Sequence, residues 1–291
     1  MSTELSIANE RGQSMAELMG VSSSPSSEAT PSIARLGMIH QPVMGEIDFN
    51  GKMIKTEVLP IGCFTLTQGE DVTYATEVHV RIFAQRQQWT RWNSESEEME
   101  KTVLANDLKG DLKDSIGGLN LGRPSGYIED WNSLDEATKN LIRSVKRTKV
   151  LYGTVTLMEP KDASGNPKSG EYVDIPFVYD LKNTASIKSV DKFMKEKKNK
   201  NLLPIMSTIK LNGEIGSIPT GAQFGYVSAS LGDKLDISDH DNDTLRNFIE
   251  LIEYSNGKIL DLHHERAKAH SDEDEGLVQE ILNNDFVEVD E

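Results

Sequence analysis

The sequence predicts a mainly β fold with α additions (α+β), specifically an OB-like, partly open barrel with inserted helices and disordered termini. Runs of alternating apolar and polar residues recur along the chain, separated by tight turns rather than by regular crossover helices, which argues against a Rossmann-type sheet. Helical periodicity is confined to a few stretches inserted between or after the strand runs. The 291 residues, 37% hydrophobic, supply enough apolar material for one large domain or two modest ones.

The elements follow in chain order. Residues 1–32 read as a disordered N-terminal segment, because Ser22-Ser23-Ser24-Pro25-Ser26-Ser27 is of low complexity and no apolar period surrounds it. Order is expected from Ile33 to Ile39 onward. Glu57 to Thr67 and Tyr74 to Ala84 read as strands, with Gln68-Gly69-Glu70-Asp71 as the hairpin turn between them. Lys101 to Ala105 reads as a short strand, and Gly110 to Tyr127 as a long glycine-rich loop. Leu134 to Lys146 has apolar residues at helical spacing and acidic residues in its first turn, so it is a helix. Lys149 to Met158 and Tyr172 to Leu181 alternate as partner strands across a loop from Pro160 to Gly170. Ser186 to Lys200 is an amphipathic helix with Ile187, Val190, Phe193 and Met194 on its apolar face. Strands at Leu203 to Leu211 and Gln223 to Ser230 follow, then a helix from Asp239 to Tyr254. An OB-like domain over 33–270 and an acidic, disordered tail over 271–291 complete the division.

Composition excludes several classes. No stretch reaches the ~18 consecutive apolar residues of a membrane span. Met1 to Gly20 lacks the basic and apolar regions of a signal peptide. A single cysteine, Cys63, rules out a disulfide scaffold or a Cys-rich zinc site. These absences predict a soluble, cytoplasmic protein. The net charge of -16 is unevenly spread: residues 139–210 hold 15 basic against 7 acidic residues, whereas 271–291 hold nine acidic residues and no basic one. A basic middle with an acidic tail points to a polyanionic partner and an interaction tail.

Enzyme signatures are nearly absent, and no cofactor is implied. Gly117 to Gly122 is glycine-rich but lacks the Lys-Ser/Thr of a phosphate-binding loop. His263 and His264 are adjacent, so a helix points them apart. Asp239, Asp241, Asp243 and Glu250 fall at positions 1, 3, 5 and 12 of a calcium-loop pattern, but Thr244 stands where the turn needs glycine. The plainer reading makes them an acidic N-terminus for the following helix.

The segment with most chemical content is Val78 to Trp92. Val78, Val80, Ile82 and Ala84 share one face of a strand. Period two then aligns His79, Arg81, Phe83, Gln85, Gln87, Trp89 and Arg91 on the other; Arg86 and Trp92 are candidates too, although Trp92 falls on the other face unless a bulge intervenes. Rings interleaved with arginines suit a single nucleic-acid strand, the rings stacking on bases and the arginines holding phosphate. The alternative puts Phe83 and Trp89 in a second apolar core. Arg143, Lys146, Arg147 and Lys149 lead into a strand bearing Tyr152, and Lys195, Lys197 and Lys198 crowd the exit of the next helix; together they can form a basic groove. In the tail, Asp285, Phe286, Glu288 and Asp290 surround or supply the aromatic residue that would dock a partner protein.

In layout the chain resembles the single-stranded DNA-binding proteins of tailed bacteriophages. Val58 to Phe64, Arg147 to Leu157, Lys195 to Leu211 and the acidic tail carry the resemblance. It implies an OB-like barrel that binds single-stranded DNA in replication or recombination, within the host cytoplasm. It also implies an acidic C-terminus that contacts replication proteins and competes with DNA. Many tails of that family finish on an aromatic residue, whereas this one ends Asp290-Glu291 with Phe286 inside. The rival expectation is a virion structural or assembly protein without nucleic-acid binding.

Overall fold

A computed structural model describes residues 33–49, 51–126, 128–196 and 203–284, with side chains omitted for 47–49 and 270–284. The predicted mixture holds: the chain is mainly β with a few helices. Strands are β1 (Ala34–Met38), β2 (Val43–Phe49), β3 (Lys52–Leu59), β4 (Phe64–Gln68), β5 (Asp71–Ala75), β6 (Glu77–Asn93), β7 (Glu98–Lys101), β8 (Lys146–Met158), β9 (Ile175–Leu181), β10 (Ser207–Ser217) and β11 (Gln223–Lys234). Helices are α1 (Glu136–Ser144), α2 (Thr184–Lys195) and α3 (Asp239–Asn284).

One mixed sheet runs β11-β10-β6-β8-β9-β1-β4-β5, with β7 paired to β6; β2 and β3 form a separate hairpin. Only β1 and β9 run parallel among these pairs, and the described strands do not close into a barrel. Some expected boundaries move. The strand expected over Glu57 to Thr67 breaks at Gly62, whose positive φ of 87° turns the chain between β3 and β4. The short strand expected at Lys101 to Ala105 lies earlier, at β7, while the chain beyond it makes isolated bridges. The expected loop over Gly110 to Tyr127 contains a 3-10 turn at Asn120–Gly122.

One face of the sheet holds the main core. Val78, Val80 and Ile82 of β6, Leu151, Val155 and Leu157 of β8, and Phe177 and Tyr179 of β9 meet Ile187, Val190 and Phe193 of α2 there. Those three α2 residues recur every three positions, the spacing that keeps them on one helix face. Asn183 caps α2 by accepting from the Ala185 N–H at 2.8 Å. The opposite face receives α3, where Phe248 packs on Phe83 and Tyr152 with centroids 5.7 and 6.1 Å away. Further along α3, Asn256 accepts from the Leu104 N–H and donates to its carbonyl, tying the segment after β7 to the helix. No helix among the described residues is long and apolar enough to cross a membrane.

Candidate nucleic-acid interface

The expected single row along β6 is broken by a β-bulge. Ile82 pairs with Gly153 and Ala84 with Tyr152, so Phe83 is the extra residue. A bulge adds one residue to one strand, so every later side chain changes face. Before it, Arg81 and Phe83 lie under α3. After it, Gln85, Gln87 and Trp89 stand opposite Leu151, Lys149 and Arg147, on the α2 face. Gly153 permits this, because a Cβ there would overlap the Arg81 carbonyl oxygen.

The upstream half is consumed by structure. Arg81 Nη1 pairs with Asp241 at 2.6 Å, and its Nε donates to the Ile205 carbonyl. Asp241 also accepts from the Ser238 N–H and hydroxyl at the start of α3. Burial opposes its ionisation, but hydrogen bonds from Ser238 and the Arg81 charge outweigh that and hold its carboxyl below the usual range. The calcium-loop pattern therefore resolves into a helix start: Asp239, Asp241, Asp243 and Glu250 lie along α3, and no cation-binding cluster occurs among the described residues. Tyr152 is buried beneath Phe248, and burial pushes its hydroxyl pKa up.

Downstream, the basic residues divide. Lys149 and Arg147 share Asp191 of α2, at 2.7 and 2.9 Å, and Arg147 also donates to Gln87 Oε1 at 2.8 Å. Burial raises the Asp191 pKa, but both cations pull it further down, leaving it below the ordinary value. Arg91 pairs with Glu100 at 2.6 Å. Arg143 lies 5.4 Å over the Trp131 ring and 3.7 Å from Glu136, away from this group. Lys146 is exposed at the start of β8, and Arg86 donates to its neighbour's carbonyl, that of Gln85. Trp92 is 58% exposed opposite Met99, on a hairpin that bears Glu95, Glu97 and Glu98, an acidic setting. Lys197, Lys198, Asp285, Phe286, Glu288 and Asp290 lie outside the described residues.

Two features escaped the sequence reading. The Arg123 guanidinium sits 4.7 Å over the Trp89 ring. Its Nε is buried without a hydrogen-bond partner, and burial lowers its pKa. No carboxylate pairs with Arg123 among the described residues. The second is Asp191, the sole acid of α2. Lys188 and Lys195, about one turn before and after it, are exposed, as is Lys192; none of the three has an ion pair among the described residues. Trp89, Arg123, Gln87, Arg147 and this lysine stripe thus form a continuous run on the α2 side of the sheet. It offers a ring for stacking, a guanidinium with an unspent donor, and fixed positive charge.

Comparison with protein-family models, with curated proteins and with solved structures finds no match for this chain.

Proposed function

We propose that this chain is a non-enzymatic, non-sequence-specific single-stranded DNA-binding protein acting in replication or recombination, and that its sheet serves as an OB-like platform for the strand. The observation that carries the reading is the Trp89–Arg123 stack, set beside Arg147 and the exposed lysines of α2. A ring accepts any base face, so stacking gives affinity without sequence choice. Lysines supply the phosphate attraction that a non-specific binder needs. Arg81, Phe83, Lys149 and Tyr152 are left out of the interface, because their side chains are engaged inside the fold. The layout resemblance supports the same reading, with a phage source, a place in the host cytoplasm, and an acidic tail that docks replication proteins through Phe286 and its neighbours. A gel-shift titration of purified protein against oligo-dT tests it: a saturable shift that Trp89→Ala weakens supports the reading, and the absence of any shift refutes it.

A second reading has its own observation. Met44, Met53 and Ile54 are exposed on the β2–β3 hairpin, and Ile215 and Ile218 at the tip of the β10–β11 hairpin. Apolar side chains on projecting hairpins suit protein–protein assembly, as in a virion structural protein. Assembly into large particles with no oligo-dT shift would favour that alternative.

A further inference from the structure

The edge of β6 between its two flanking partners is open. On this side β10 pairs with β6 only from Glu77 to Val80, and the bridge to Ala105 begins at Gln87. Gln87 exchanges both backbone hydrogen bonds with Ala105, at 2.7 and 2.8 Å. Period two then turns the Gln85 backbone N–H toward the same open side. A cavity of about 430 Å³ fills this gap, at the low end of the ~300–1,000 Å³ typical of small-molecule sites. Leu245 and Ile249 of α3, with Pro204, give it apolar walls. Gln85 and Asn106 line it with side-chain amides that have no partner among the described residues, and Arg86 adds positive charge.

We infer that this cavity receives one nucleobase of the bound strand, an inference that rests on the strand-binding reading above. Apolar walls suit the faces of a base, and unspent amides can both donate to and accept from its polar edge. Amides that do both accept any base, so the pocket preserves sequence tolerance. The location fits as well. Gln87 lines the cavity and Trp89 follows two residues later, about 7 Å along the strand. A base in the cavity and its neighbour on Trp89 would be consecutive along the chain. The bulge shapes the rim of the pocket, since it sets Gln85 on the same face as Gln87.

Fluorescence anisotropy with two labelled oligonucleotides of equal length, oligo-dT and an abasic strand with the same phosphates, tests this. The wild-type chain is compared with Leu245→Trp, which fills the cavity from its α3 wall, and with Asn106→Ala elsewhere in the lining. The expected result is a loss of about fivefold or more for oligo-dT in Leu245→Trp, the low end for one base contact, with abasic binding unchanged. Asn106→Ala shows the same selectivity with a smaller loss, and it carries the test if the tryptophan variant does not fold. Unchanged oligo-dT affinity in the folded variants overturns the base pocket, as does an equal loss on both strands. Failure of the wild-type chain to bind either strand refutes strand binding itself.

Discussion

Phe83 and Gln85, two residues apart on β6, lie on opposite faces of the sheet. Unbroken alternation would put them side by side. The bulge opposite Gly153 separates them, sending Phe83 under Phe248 of α3 and Gln85 toward the α2 side. That one insertion decides which aromatic residues of β6 can meet a ligand.

Gly153→Ala tests the bulge directly. The added methyl meets the Arg81 carbonyl, so the strand must shift or the register must slip. The expected cost is about 1–3 kcal/mol, the range for overpacking. Chemical denaturation measures it; an unchanged midpoint would mean that β6 does not bulge there.

Phe83→Ala should behave as a core truncation. Loss of the half-buried ring facing Phe248 should destabilise the fold by up to about 3 kcal/mol, the lower end for a fully buried phenylalanine. Oligo-dT affinity of the folded protein should stay within twofold. A selective loss of affinity at full stability would return Phe83 to the interface.

Trp89→Ala should do the reverse, with oligo-dT binding weakened by about 1–3 kcal/mol, as for loss of one stacked base. Its stability should change less, because the ring stacks on the Arg123 guanidinium, whereas Phe83 packs on Phe248 of α3. Isothermal titration beside a melting curve separates the two effects.

The visibility of these features in the sequence varied with their cause. Period two identified β6 and β8, and helical spacing identified α2, because each buries one face against the same core. An unbroken alternation carries no mark of a bulge; the cue was on the partner strand, where Gly153 interrupts a β-branched run. The β2–β3 hairpin also had a cue, Asn50-Gly51 between two strand-length runs, which join as the pair Phe49 and Lys52. Arg123 had none. It lies in an aperiodic glycine-rich stretch and meets Trp89 only through tertiary folding. Counting basic residues likewise overstated the free charge, since Arg147 and Lys149 are bound by the single acid Asp191.

Asp191→Asn should expose that dependence. Lys149 is nearly buried, and leaving it unpaired should cost about 3 kcal/mol near neutral pH. The sign with pH follows from the lowered Asp191 pKa. Its stabilisation is present above the unfolded value of about 3.9 and is lost as pH falls through the lower folded value. Wild-type stability should therefore drop on acidification below about pH 4, and the Asn variant should show a shallower drop. Asp241 adds a residual slope of the same sign. Parallel curves would remove Asp191 from the acid response.

The salt dependence of oligo-dT binding tests strand recognition most directly. Anisotropy is recorded from low to moderate salt for the wild type and for a chain with Lys188, Lys192 and Lys195 changed to Gln. Each phosphate contact contributes about -0.7 to the log–log slope on single strands. The wild type should bind with a clearly negative slope, and the triple variant should be shallower by up to about 2, three contacts' worth. Identical slopes, or no saturable binding at the lowest salt, would contradict the assignment of this face to a nucleic-acid strand.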